Sequence, residues 1–473
     1  MKKLKHIAAL FCAVMLMSTM MAVPASANSA QTRWDGTDAT GAIITGEDCP
    51  IVVEHENLTF DIQQFPESHY SKVSDYLTYT GRVTAEYTFY NPADYTVNAT
   101  LAFPFGAVPD YGHIWDNDTN GTLHFSDTEK YDITVDGTPI DRTLRHTLTF
   151  WGEQFELEKD MALLHDGFME DEFYSPDMTV TRYTYLPSGV DKETYNAADA
   201  AFVLSADPAK TKVYMEDQNG GETLENGVVL ATWVDLEEGP VVNVIGEPLE
   251  QMPEWKFYEN GAREKEIEGT MTLVSTETMT LREFALQEYD EASGILDYDW
   301  YNAFISALKR FEWEYGAIHS TEIGFDLSDR LMRWYEYELT LESGQRIVNA
   351  VTAPIYPSIN SNWEPPIYEY TYLLSPAQTW AEFGTLDIVI NTPYYMTQSG
   401  PEGLEWQNPG YTAHLDGLPE GELTFTLSSE NDPKEPVFSG YVYPQILLIG
   451  AAILIAVVVV VIVLVRRKRR AGN

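Results

Sequence analysis

Basic residues and cysteines are what this 473-residue chain has least of. Its 29 lysines and arginines stand against 73 aspartates and glutamates, a formal net charge of −44. A nucleic acid would be repelled by that field instead of releasing counterions to it, so nucleic-acid partners are excluded. Two cysteines, Cys12 and Cys49, cannot supply a disulfide scaffold. Enzyme signatures are missing as well: the chain has no His-Glu-x-x-His zinc motif, no Gly-x-Ser-x-Gly elbow and no phosphate-cradling glycine loop. Core-forming residues are plentiful. With 44% hydrophobic and 13% aromatic residues the chain is not an acidic disordered protein, and its length suits two or three domains.

The two ends carry targeting information. Lys2, Lys3 and Lys5 precede an apolar run over residues 7–23, followed by Pro24 and the small triplet Ala25, Ser26, Ala27. This pattern predicts a secretory signal peptide over 1–27, with a polar spacer over 28–50. Cys12 lies inside the apolar run, so a lipoprotein signal is not expected. Residues 446–465 are twenty consecutive apolar or glycine residues, enough at 1.5 Å per residue to cross a hydrocarbon core of roughly 30 Å. Tyr441, Tyr443 and Pro444 precede the run, and Arg466, Arg467, Lys468, Arg469 and Arg470 follow it. The expectation is a transmembrane segment over 441–465 and a cytoplasmic tail over 466–473, with the bulk of the chain outside. Setting aside the three lysines at the head and the five basic residues at the tail leaves 21 basic against 73 acidic groups on the ectodomain, a charge of −52. A secreted chain of this size without disulfides, behind a short lysine-headed signal, reads as bacterial.

Alternation dominates the middle. Val83, Ala85, Tyr87 and Phe89 share one face, and after Asn91, Pro92, Ala93 and Asp94 so do Val97, Ala99, Leu101 and Phe103. These read as two half-buried strands joined as a hairpin. Similar stretches recur at 131–135, 178–186, 228–236, 270–274, 335–341, 386–390 and 423–427. The fold class expected is mainly β: one or two antiparallel β-sandwich domains with one or two short helices, plus the C-terminal transmembrane helix. The better helix is 299–311, where Trp300, Ala303, Phe304, Ala307, Leu308 and Phe311 fall on one face; a shorter one is read at 153–164. Pro253 and the polar stretch 259–268 suggest two successive domains, 51–255 and 256–440. Val-Asn-Ala occurs at 97–99 and again at 348–350, each after a turn. Either a sandwich module is duplicated or two amphipathic strand pairs look alike by chance.

Two stretches carry candidate chemistry. Asp116, Asp118, Asn120, Gly121, Thr122 and Asp127 follow the ligand order of a calcium loop, oxygen donors at one, three and five, glycine at six and an acid at twelve. Over those twelve residues the chain resembles an EF-hand loop. It departs from the pattern in having Asp at position twelve in place of Glu and no helical flanks, and the alternative is a polar turn. The second stretch is 353–372, where Pro354, Pro357, Pro365 and Pro366 stiffen a connection bearing Asn360, Asn362 and Trp363. Amides beside an aromatic suit a glycan or a docking strand. Tyr368, Tyr370 and Tyr372 alternate after it, and the alternative is that they are core.

Histidines are scattered, although His113 and His124 could join Asp116 at a metal. The acidic ectodomain favours cations, cationic peptides or basic partner proteins. Together these features point to a single-pass, membrane-anchored bacterial surface protein. Its β-sandwich ectodomain is expected to bind a protein, cationic or glycan ligand without catalysis, with calcium as the one cofactor. An extracellular hydrolase of polysaccharide or peptide, or an accessory subunit of an envelope or transport complex, are the alternatives. A hydrolase would need one carboxylate pair that sequence cannot pick from 73 acids.

Overall fold

A computed structural model describes residues 33–34, 39–40, 43–44, 49–66, 81–104, 131–149, 156–191, 193–195, 197–234, 238–319 and 327–434. The expected signal peptide, calcium loop and transmembrane run all lie outside these residues. Among the described residues no helix is long and apolar enough to cross a membrane. The chain forms two compact units, one comprising residues 1–33, 360–367 and 432–473, the other 34–359 and 368–431. In the smaller, Glu364 and Lys434 exchange both backbone hydrogen bonds, at 2.9 and 3.0 Å.

The larger unit is mainly β, as the alternation predicts. In chain order its main elements are β1 (Val52–Asp61), β2 (Arg82–Tyr90), β3 (Val97–Pro104), β4 (Thr143–Leu148), β5 (Thr179–Ser188), β6 (Ala198–Leu204), β7 (Gly227–Val234), β8 (Lys256–Tyr258), β9 (Thr270–Thr280), helix α1 (Asp297–Arg310), β10 (Leu331–Leu341), β11 (Arg346–Pro354) and β12 (Glu382–Asn391). Two further short helices, Leu157–Met161 and Leu281–Ala285, lie among the described residues. The second is started by a capping box between Thr280 and Glu283.

An outer sandwich is built from the two ends of this unit. Its eight-stranded sheet runs Glu405–Gln407, Gly410–Leu415, β12, β1, β2, β11, Asp132–Val135 and Thr138–Pro139. Facing it, β3 and β4 flank β10. A third sheet holds Ile367–Leu373, Leu423–Ser428 and Tyr395–Gly400. Val83, Ala85, Tyr87 and Phe89 are all buried, and they meet Leu101, Phe103, Tyr337 and Leu339 in one core cluster.

The hairpin expected from the first two strands does not form. β2 pairs with β1 and β11, whereas β3 pairs with β10. The connection from β2 to β3 therefore crosses between sheets, as does the one from β10 to β11. Alternation fixes which face of a strand is buried and leaves the neighbour free. Two strands that bury apolar faces toward each other satisfy it as well across a sandwich as within a hairpin. Buried Asn91 ties the two crossings together. Its Nδ2 donates to the Tyr95 and Leu341 carbonyls at 2.8 and 3.0 Å, and its Oδ1 accepts the Ala93 N–H at 2.9 Å.

The repeated tripeptide faces opposite ways in its two settings. Val97 and Ala99 are buried with Asn98 exposed, whereas Val348 is 37% exposed and Asn349 is fully buried, accepting a hydrogen bond from the Tyr337 hydroxyl at 3.0 Å. A one-residue phase difference inverts every side chain, so the resemblance does not extend to structure.

A second sandwich is inserted between β4 and β10. One sheet orders β9, β5, Val241–Gly246, Thr211–Met215 and Ala317–Ile318; the other orders Gln218–Leu224, β7, β6, β8 and Glu266–Ile267. Residues on both sides of position 255 thus pair within the insert, and the stretches 51–255 and 256–440 contribute strands to the same sheets. Tyr183, Val213 and Val244 from one sheet meet Phe202, Val228 and Leu230 from the other. α1 covers the outer face of the first sheet and also reaches Leu148 of β4 and Leu331 of β10.

At that joint the buried Arg145 guanidinium of β4 holds Asp299 of α1, with Nη2 donating at 3.2 Å. It also reaches Asp166 and Glu336, each at 3.1 Å. Burial raises the Asp299 carboxyl and Arg145 opposes that rise. Beside them burial, then Arg333 and Arg145, push the His146 imidazole down to about 3, so it is neutral.

Candidate functional site

β6 has a partner along the whole of one edge and only part of the other. β7 accompanies it from Ala198↔Val234 to Leu204↔Val228. β8 matches only Asp199, Ala200 and Ala201, the last opposite Lys256. The Leu204 carbonyl faces β7, since a Cβ at Gly227 would lie 2.5 Å from it. By strand alternation the N–H and C=O of Val203 then point the other way, beyond the end of β8. No described strand pairs with them there, and the Val203 side chain is 58% exposed.

A cavity of about 780 Å³ runs along this open edge. It is lined by β6 from Ala201 and the residues that follow it to Asp207, by the connection 247–254, and by Tyr258 and Tyr315. Pro248 and Pro253 stiffen the connection. It leaves the preceding strand at Gly246, whose φ of +93° and 2.3 Å approach of a built Cβ to the Lys210 carbonyl admit no side chain. Its far end is pinned by Trp255, packed edge-on against Phe202 at 4.7 Å and Tyr185 at 5.4 Å. Met252, which also lines the cavity, is 51% exposed.

Carboxylates outnumber cations around the cavity. Asp207, Glu247, Glu250 and Glu254 line it, against Lys210 and Lys256. Both lysines already have acidic partners, Glu247 at 4.0 Å and Glu266 at 3.4 Å. An unpaired strand edge beside a cavity lined by four carboxylates and two paired lysines suits an extended chain bearing positive charge.

The residues singled out by sequence lie elsewhere. Asp116, Asp118, Asn120, Thr122 and Asp127 are outside the described residues, as are His113 and His124. Asn360, Asn362 and Trp363 belong to the smaller unit and are each half-buried, with the Asn362 N–H donating to Asn360 Oδ1 at 3.1 Å. Tyr370 and Tyr372 are core, and half-buried Tyr368 stacks on Phe65 with ring centroids 3.7 Å apart.

Of the scattered histidines, the larger unit brings His55 and His414 to one carboxylate. His414 Nδ1 donates to Asp387 at 2.5 Å, and His55 Nε2 lies 3.6 Å from it. The Asp387 hydrogen bond raises the His414 imidazole. Among the described residues no three His, Cys, Asp or Glu side chains are placed to hold a metal ion.

Sequence reading missed the groove, although one signal marked it. Pro248 and Pro253 bracket a short acidic and apolar segment where a sandwich would be expected to run strand to strand. On sequence alone Pro253, with the polar stretch 259–268, suggests a domain boundary instead.

Compared with protein-family models and with curated proteins, the sequence matches none. Among solved structures it is similar to a Legionella pneumophila protein named as a candidate nutrient binding protein. The likeness covers 84% of this chain and 72% of that one, at 8% identity and a TM-score of 0.35. At that level it carries no argument about this chain.

Proposed function

We propose that this chain is a single-pass, membrane-anchored bacterial surface protein. In this reading the acidic β-sandwich ectodomain captures an extended, positively charged peptide segment along the open edge of β6, without chemistry on it. The observation that carries the proposal is the cavity beside an unpaired strand edge at Val203. Its volume of about 780 Å³ lies within the roughly 300–1,000 Å³ of ligand pockets.

An incoming strand would gain backbone hydrogen bonds at Val203, each worth about 0.5–1.5 kcal/mol net. Asp207, Glu250 and Glu254 would receive its lysines or arginines. The ectodomain's charge of −52 would steer such a ligand inward and repel acidic ones. The signal-like head and the apolar run with its basic stop support export and anchoring. The acidic loop 116–127 is proposed to bind calcium through Asp116, Asp118, Asn120, Thr122 and Asp127.

The test is fluorescence anisotropy of the full chain in nanodiscs with a labelled peptide alternating lysine and valine, against one alternating glutamate and valine. The lysine peptide should bind, and binding should weaken as salt shortens the Debye length. Val203→Pro removes the outward N–H without breaking a native bond, and Glu250→Lys with Glu254→Lys reverses the rim. The proline variant should weaken binding about two- to tenfold and the charge reversal about tenfold or more. Equal binding of the two peptides, or wild-type affinity in both variants, refutes the proposal.

A further inference from the structure

The connection 247–254 is tied down at its two ends and free between them. The Glu247 N–H donates to the Lys210 carbonyl at 2.9 Å, and the Glu247 carbonyl accepts from the Thr211 hydroxyl at 2.8 Å. On the far side the ladder with β6 begins at Lys256. Among the described residues no backbone group from Pro248 to Trp255 bonds to another backbone group. Segments with so few bonds are the ones that move at little cost.

This stretch nevertheless keeps the period of a strand. Phe257 is buried and Trp255 and Pro253 are half-buried, whereas Lys256, Glu254 and Met252 are exposed. The alternation of β8 thus runs on past its first residue and stops only at Gln251, which is exposed as well.

Carrying the register on from Ala201↔Lys256 sets Trp255 opposite Phe202, Glu254 opposite Val203 and Pro253 opposite Leu204. Three features fit that register. The Trp255 and Phe202 rings already pack together, with centroids 4.7 Å apart. Val203 turns its N–H and C=O to this side, so Glu254 would meet it as a pair exchanging two hydrogen bonds. Pro253 falls opposite Leu204, whose carbonyl faces β7, where the alternation asks for no N–H from the incoming strand.

From this register, the unpaired backbone on both sides and the cavity that both sides line, we infer that residues 248–254 are a strap that closes onto β6 as an extension of β8. Closing fills the groove with the protein's own chain; the structure holds the open form. One contact is given up, that of Met252 Sδ with the Tyr185 hydroxyl at 4.0 Å, because Met252 turns to the outer face with Glu254. A ligand strand and the strap compete for the same bonds at Val203, so the apparent affinity for peptide is scaled by the fraction of open protein. As regulation of the β6 site this rests on the peptide reading of that edge, whereas the closure itself does not.

A pair of cysteines reads the closed form. Hydrogen-bonded partners in an antiparallel ladder have Cα atoms about 5.5 Å apart, within disulfide reach. In the full chain with Cys12→Ser and Cys49→Ser, Val203→Cys with Glu254→Cys should form an intramolecular disulfide on mild oxidation, measured by thiol titration and by mass. Val203→Cys with Glu250→Cys, out of register, should stay reduced. In nanodiscs the oxidised 203–254 variant should bind the lysine and valine peptide about tenfold or more weakly than the same variant after reduction. Failure of the 203–254 pair to oxidise, equal oxidation of both pairs, or an oxidised form that binds as well as the reduced one overturns the inference. Wild type that binds no peptide, beside a disulfide that forms only in register, would instead sink the reading of the groove and leave the strap standing.

Discussion

Glu56 offers a pH test of the outer core. It lies on β1, 1% exposed, with the Tyr372 hydroxyl donating to its Oε1 at 3.4 Å and the Tyr87 hydroxyl 3.4 Å from that of Tyr372. Burial raises its carboxyl from an ordinary 4.5 to about 7, with the Tyr87 and Tyr372 hydrogen bonds opposing the rise. A raised carboxylate means the folded state keeps a proton that the unfolded state has lost, so stability falls as pH rises between the two values. Over that interval the loss is about 3 kcal/mol, at roughly 1.4 kcal/mol per unit. Glu56→Gln keeps the shape and the hydrogen-bond acceptor and removes the titration.

Urea unfolding of wild type and variant from about pH 5.5 to 8.5 avoids the isoelectric region near 4.3. The variant's advantage from this group should grow by about 2 kcal/mol across that range. It should level off above pH 7. A wild-type minus variant difference that stays constant with pH would show that Glu56 is ionised in the folded core, and the reasoning from burial would fail.

Two further outcomes test the proposed topology and metal. In sealed cells, added protease should digest the ectodomain while a tag placed after Asn473 survives; a digested tag would reverse the orientation. Calcium at about 5 mM should stabilise the chain by about 1 to 2 kcal/mol if its dissociation constant lies in the weak extracellular range of roughly 0.1–1 mM. Thermal unfolding with calcium or chelator reads this. A shift undiminished by Asp116→Ala with Asp118→Ala would mean that the ions only screen acidic surface.

By itself the sequence determined the strand faces and the main helix. Val83, Ala85, Tyr87 and Phe89 are buried as their period of two requires, and Trp300, Ala303, Ala307 and Leu308 are buried at a period of 3.6 on Asp297–Arg310. The same holds for the basic, apolar and small-residue order of the two termini, which is a statement about chemistry along the chain.

Tertiary structure alone decided who meets whom. β2 finds β11 more than 250 positions later, with Arg82 opposite Pro354, because alternation specifies a face and carries no address. Asp299 reads as a favourable acid in a helix's first turn, yet it is buried as the partner of Arg145. The groove exists because β8 stops at Lys256, opposite Ala201, and leaves Val203 unpaired. An edge is a property of the neighbour that is missing, and no local pattern in β6 records where that neighbour ends.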